Sequence, residues 1–251
     1  MLEGMLWVLR TGAPWRDLPE RFGSWKTVSR RFYRWRWAGV WDQVLAELRR
    51  QADRDGNLDW TLHFVDSTTV RAHQHAAGAK GAPESEAFGC SRGGLTTKIH
   101  VRAKRQGKPV VIELTPGEWH EQPMVERLME RGAVNRGGRG RSRLRPQRVA
   151  GDKAYSSAKV RRYLCRRGIG AVIPRKSNEQ RKGRFDRQAY RERNVVERLI
   201  NRLKQHRRAA TRYEKQAANY WVLGHRDPLI LASPDHVMLR RADPKLILLR
   251  R

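Results

Sequence analysis

Three strand-like runs in direct succession constrain this chain more than any other feature. "LHFVDSTTV" (62–70), "LTTKIHVRA" (95–103) and "KPVVIELTPG" (108–117) have the hydrophobic pattern of strands, and the turn "KRQGKP" joins the last two. Their order predicts an antiparallel meander. Behind them the pattern alternates. "QPMVERLMERG" has a helical period and "QRVAGDKAY" reads as a buried strand. "SSAKVRRYLCRRG" reads as a helix capped by Ser156 or Ser157 and ended by Gly168, "GAVIPRK" as a short strand, and 187–209 as one long helix. Strands first, then strands alternating with helices, imply an α/β domain with a mixed sheet. A chain of 251 residues has room for that domain and a small accessory one.

The accessory segment comes first. Six of the nine tryptophans lie at or before Trp41, in short helical pieces separated by "TGAP" and "RFGSW". A helix capped by Ser24 or Thr27 carries Arg30, Arg31, Arg34 and Arg36 beside Phe32, Trp35 and Trp37. Such a helix either lies in a groove of DNA or presents a solvated basic face over an aromatic core, and the pattern leaves both readings open. The polar stretch "QADRDGNLD" divides the chain. The expected units are therefore a helical domain at 1–58, an α/β domain at 59–220 and an atypical tail at 221–251. A helix already under way at Met1, with no cap before it, suggests that the natural domain begins upstream.

Charge narrows the partner. Lys and Arg total 54 against 25 Asp and Glu, a net +29, which calls for a polyanion. Arginine is spread along the whole chain, so nucleic acid fits better than a membrane surface; the alternative is a basic scaffold of the ribosomal kind. Two cysteines make neither a disulfide framework nor a Cys-rich zinc site, and a cytoplasmic location is expected. No apolar run approaches the roughly 18 residues of a membrane span. "GCSRGG" lacks the Lys and Ser/Thr of a phosphate-binding loop, so no nucleotide cofactor is expected. His73 and His75 lack zinc-ligand spacing and are expected on a mobile loop beside the active site.

Three acids stand out by position. Asp66 is in phase with Leu62 and Phe64, a costly place for a lone carboxylate. Asp152 follows an apolar strand at its carboxyl end, where open α/β sheets hold ligands, although a turn-capping Asp is the simpler alternative. Glu197 lies amid cations on a helical stripe formed by Tyr190, Arg193, Glu197, Asn201, Lys204 and Arg208; alone it reads as a solvated ion-pair partner. Two Asp and one Glu converging on one site are hard oxygen ligands for Mg²⁺, with Mn²⁺ as substitute. Cations around them would hold a DNA backbone for phosphodiester cleavage. Lys98 and Lys153 either touch DNA or are solvated.

The motifs "FVDSTTVRAH", "RGGLTTKIHV", "VAGDKAYSS", "AVIPRKSN" and "YRERNVVERLINRLK" resemble the DDE transposases of bacterial insertion sequences, of the insertion-sequence-five group. The resemblance runs from about Leu6 to Tyr220. Its most specific element is the spacing of Tyr190, Arg193, Glu197 and Lys204. It implies a ribonuclease-H-like catalytic domain with a mixed sheet, preceded by a small helical DNA-binding domain. Asp66, Asp152 and Glu197 become the catalytic, metal-binding triad, and Tyr190, Arg193 and Lys204 contact the element's end near the cleaved phosphate. Asn201, on the same stripe, and Arg30, Arg31 and Arg34 of the first domain are expected as further DNA contacts.

The implied activity is hydrolysis at the element's ends followed by transfer of the 3′-hydroxyl to target DNA, by a homo-oligomer assembled on DNA in the bacterial nucleoid. The alternative is a basic protein that occupies the ends without cutting, as a decayed copy. Only 44 residues separate Asp152 from Glu197, too few for the large inserted domain of some relatives, which leaves the second-strand route open. After "RYEKQAANY" the likeness stops. The proline-interrupted "WVLGHRDPLILASPDHVMLRRADPKLILLRR" reads either as a frameshifted end or as an extension packing through "LILA" and "LILL".

Overall fold

A computed structural model describes residues 1–78, 86–91, 93–136, 141–179 and 183–224. Three helices come first: α1 (Leu2–Thr11), α2 (Trp25–Trp37) and α3 (Val40–Arg54). There follow β1 (Leu62–Ala72), β2 (Gly89–Ser91), β3 (Gly94–Lys104), β4 (Pro109–Pro116), α4 (Gln122–Glu130), β5 (Arg148–Ala150), α5 (Ala158–Arg166) and β6 (Gly170–Val172). The chain continues through α6 (Arg187–Arg191), α7 (Asn194–Lys204), α8 (Arg207–Ala210), β7 (Thr211–Arg212) and α9 (Ala217–Gly224).

Local chemistry sets several of these boundaries. α1 ends at Gly12, whose left-handed φ of +74° suits glycine, and whose absent Cβ would stand 2.8 Å from that of Arg207. α5 begins where the Ser157 hydroxyl accepts from the Val160 N–H at 3.2 Å. α2 follows Ser24, but that hydroxyl makes no capping bond.

Among the described residues the sheet is mixed, with seven strands. β1 pairs antiparallel with β3, and β3 antiparallel with β4, so the expected meander is present. β2 shares the outer edge of β3 with β4. On the other edge of β1 lie two parallel partners: β5 along Leu62–Phe64 and β7 at Arg71 and Ala72. β6 completes that side, parallel to β5. This is the mixed-sheet, ribonuclease-H-like arrangement that the resemblance implies, with helices ahead of it.

Strand alternation separates the two faces. Leu62, Phe64, Val101, Ala103 and Ile112 share one core with Met5, Val8, Leu9, Phe32, Trp41 and Leu45 of the first three helices, and with Val196, Leu199 and Leu203 of α7. The helical segment thus builds its core against the sheet. On the opposite face Val65, Val111 and Val149 pack under Val125, Leu128 and Met129 of α4 and Val160 and Leu164 of α5. None of the described helices is long and apolar enough to cross a membrane.

Some expectations need correction. Residues 187–209 are not one helix. At the α6–α7 junction the amides of Arg193, Val195 and Val196 bond three residues back instead of four, while Arg105 holds Glu192 through two bonds of 2.6 Å. His206 then turns extended and separates α8. Arg208 consequently leaves the exposed stripe: it is 7% exposed, pairs with Glu214 at 2.9 Å and donates to the Ala13 carbonyl. His75 lies in a single 3-10 turn, Gln74–Ala76, after β1; His73 caps it by accepting from the His75 amide and packs its ring 5.0 Å from that of Tyr213. Of the tail, residues 225–251 lie outside the described residues; Trp221, donating to the Ile112 carbonyl at 3.0 Å, and Val222 belong to the shared core.

Candidate active site

Two of the three acids owe their position to one register. Phe64 of β1 pairs with Ala150 of β5 in parallel, and each acid lies two residues further along. Asp66 and Asp152 therefore emerge side by side, on the face that α7 covers. α7 packs on β1 through its apolar stripe, and Glu197 stands on its flank, half exposed.

Electrostatics ties the three together. The Asp66 carboxyl is pushed up to about 6, first by burial and then by the negative charges of Asp152 and Glu197. The Ser67 amide, 2.9 Å from its Oδ1, and the Arg193 guanidinium act in the opposite sense. Arg193 is bonded to Glu197 at 2.5 Å, and its side chain is only 14% exposed, so it lies between two of the acids. Burial pulls the Arg193 guanidinium down, but Glu197 and Asp66 outweigh it and leave it raised. Asp152 does what a turn residue does: its Oδ1 caps the 3-10 turn Lys153–Tyr155 by accepting from the Ala154 amide at 2.9 Å.

Among the described residues no three His, Cys, Asp or Glu side chains stand close enough together to hold one metal ion. The donor set nevertheless suits a divalent cation. All three are hard oxygen donors; the charges of Asp152 and Glu197 add to the cost of ionising Asp66, and the Arg193 guanidinium offsets part of it.

The remaining expected contacts divide into two groups. Tyr190 is half-buried at the end of α6, with the Arg193 guanidinium 5.7 Å from its ring centre. Asn201 and Lys204 are exposed on α7, one and two turns beyond Glu197. Arg30 and Arg34 are exposed and Arg31 half-buried on α2, which packs on α1, α3, α9 and the 3-10 turn Trp15–Asp17.

A polar support under Asp66 had no signal in the sequence. Glu121, at the start of α4, accepts from the Ser67 hydroxyl at 3.3 Å and from Lys98 Nζ at 2.8 Å, and Lys98 also donates to the Trp119 carbonyl at 2.6 Å. Lys98, 11% exposed, is thus held by Glu121 and the Trp119 carbonyl instead of standing solvated. Behind them Tyr155 is buried, and burial together with Asp66 pushes its phenol well up.

Residues 61–222 match the family described as "Transposase DDE domain", and residues 1–45 match the one described as "Putative transposase of IS4/5 family". The chain is 54% identical over 81 residues to the uncharacterized protein y4sN of Sinorhizobium fredii, covering 32% of this chain and 60% of that one. It is 41% identical over 73 residues to the insertion element IS402 uncharacterized 16.2 kDa protein of Burkholderia cepacia, covering 28% and 50%. The chain thus spans little more than half the length of these two relatives. Over 123 residues it is 30% identical to the "Putative transposase for insertion sequence element IS6501" of Brucella ovis, covering 48% of this chain and 85% of that one. Among solved structures, the Mos1 strand transfer complex aligns over 91% of this chain and 75% of its own, at 14% identity and a TM-score of 0.30, too weak a likeness to define a fold.

Proposed function

This chain belongs to the transposase DDE-domain family, and from that premise we propose that it cuts DNA at the ends of an insertion sequence and joins them to target DNA. In the first step water attacks the phosphorus, the bond to the 3′-oxygen breaks, and a 3′-hydroxyl and a 5′-phosphate result. In the second, that 3′-hydroxyl attacks a target phosphodiester, a new phosphorus–oxygen bond forms, and the target's own 3′-oxygen leaves. The observation that supports this reading is the parallel register that sets Asp66 beside Asp152, with the charges of Asp152 and Glu197 both acting on the Asp66 carboxyl.

Asp66, Asp152 and Glu197 would hold Mg²⁺ or Mn²⁺, which when bound acidifies the attacking water and offsets charge on the phosphoryl oxygens. The chain's own cations do the rest. Arg193 and Tyr190 place the scissile phosphate, with Arg193 exchanging Glu197 for a phosphate oxygen. Lys204 and Asn201 track the backbone along α7, and Arg30, Arg31 and Arg34 hold more distant DNA. Two element ends must be held at once, which calls for a homo-oligomer on DNA.

Alanine at Asp66, Asp152 or Glu197 is expected to abolish strand cleavage of end-containing DNA in Mg²⁺ and in Mn²⁺, with DNA affinity nearly unchanged. A variant that still cuts removes its residue from the triad. The second reading, a protein that binds the ends without cutting, draws on Glu197 being engaged with Arg193. Binding without cleavage by the unaltered chain in either metal would favour it.

A further inference from the structure

Beside Asp152 the chain forms an open cleft of about 550 Å³, lined among the described residues by Lys153, Arg161, Arg175, Arg184 and Arg187 and by no acidic side chain. Arg161 is committed to structure: it donates to the Ser156 hydroxyl at 2.8 Å and the Ile173 carbonyl at 2.9 Å, and stands 3.5 Å from Glu179. Asp186, next to Arg187, is taken by Arg148 at 2.7 Å. The other four cations therefore crowd one concave space, while Glu179 and Asp186 serve different arginines. Such a space favours an anion.

The walls say which kind. Ile173 and Pro174 form an apolar floor, and Phe185, 38% exposed, turns part of its ring toward the cleft. A duplex keeps its base faces stacked inside and presents phosphates alone. A single strand presents phosphate and base face together, and cations interleaved with an exposed aromatic ring match that combination. The volume lies within the range of sites that enclose a small ligand.

Position strengthens the case. Lys153 is the residue after Asp152, and the Phe185 ring lies 5.3 Å from that of Tyr190, which carries Arg193. A strand leaving the acids along that path enters the cleft at once. We infer that this cleft binds a single-stranded stretch of DNA, its phosphates on Lys153, Arg175, Arg184 and Arg187 and a base against Phe185. The inference rests on DNA being the partner, but not on the chain cutting it.

The test is binding in EDTA, with a labelled single-stranded 12-mer and its duplex as probes at several salt concentrations. The variant Arg175→Gln/Arg184→Gln/Arg187→Gln is compared with an equally charged control, Arg145→Gln/Arg162→Gln/Arg166→Gln, all three exposed elsewhere on the surface. The cleft variant is expected to lose at least tenfold more affinity for the single strand than the control, and to lower its salt slope by about 2, from three phosphates at about 0.7 each. Phe185→Ala is expected to weaken the single strand about tenfold, as one lost stacking contact does, and the duplex less than twofold. Equal losses on both probes, or a slope matching the control's, would overturn the inference. A chain that passes this test yet cuts in neither Mg²⁺ nor Mn²⁺ would sink the catalytic reading and leave the cleft standing.

Discussion

The two faces of the central sheet, built from the same strands, treat charge in opposite ways. The face under α1–α3 and α7 is apolar from Leu62 through Phe64, Val101 and Ile112, and one acid, Asp66, stands in phase with it. The face under α4 carries a buried row: His63 pairs across with Lys104, Val65 with Arg102 and Ser67 with His100, all six on that side of the pleat. His63, His100, Arg102 and Lys104 are all at most 4% exposed.

What differs is how the charge is satisfied. Arg102 donates to the carbonyls of Arg131 at 2.9 Å, Leu144 at 3.3 Å and Met129 at 3.4 Å, and Lys104 to that of Asn57. Burial still pulls them down, Arg102 to about 9 and Lys104 to about 8. These cations tie loops to the sheet. Asp66 has one backbone amide and the field of Arg193, and its carboxyl is raised to about 6. A charge left short of partners on an otherwise apolar face is a candidate for a site, whereas one surrounded by carbonyls serves as a joint.

That contrast can be broken by mutation. Phe64→Ala should cost about 3–5 kcal/mol of stability through the cavity it leaves. Arg102→Ala should cost nearly as much, about 2–4 kcal/mol, by leaving three carbonyls without their donor. Urea unfolding measures both, and an Arg102→Ala variant as stable as the parent would mean that the row is tolerated and not structural.

Acid should weaken the polar face first. Burial lowers His63 to about 3 and His100 to about 4, so the folded chain binds fewer protons than the unfolded one below the ordinary value of 6.5. Their contribution is complete above 6.5 and is lost as pH falls toward 4 and 3, on the order of 2 kcal/mol each by pH 5. Urea midpoints at pH 7 and pH 5 should differ accordingly, and His100→Asn should remove about half of that pH dependence.

On the apolar face the sign reverses. Asp66→Asn should stabilise the chain at pH 7 in EDTA, by on the order of 2 kcal/mol, because it removes a carboxylate raised by burial and by two like charges. The same variant should not cut DNA. A destabilised Asp66→Asn protein would argue that Arg193 more than compensates the site. The smallest effect is expected at Lys98: replacement by Met should cost about 1–2 kcal/mol by leaving Glu121 unpaired, with the salt dependence of DNA binding unchanged. A lowered salt slope would restore Lys98 to the DNA surface.

The elements that were legible in the sequence are those whose signal is local. Alternation identified β1, β3 and β4, the serine pair at 156 and 157 identified the start of α5 without saying which of the two caps it, and the phase of Asp66 with Phe64 singled out the acid before any strand pairing was known. Period alone overran at 187–209: the break at Glu192, where Arg105 reaches across from the β3–β4 turn, leaves the apolar period on either side of it uninterrupted. Glu121 was silent for a related reason: its partners Ser67 and Lys98 lie 54 and 23 residues away.

Sequence by itself determined which backbone could be strand or helix and which acids were out of place, because both follow from side-chain period along a few residues. Only the tertiary structure decided where the long cations ended. Arg208 went to Glu214, Lys98 to Glu121, and Arg102 under α4, while Arg175 and Arg184 stayed around an open cleft. A flexible arginine or lysine can reach a carbonyl, a carboxylate or water from the same sequence position, and the choice among them is made by what the fold brings within its reach.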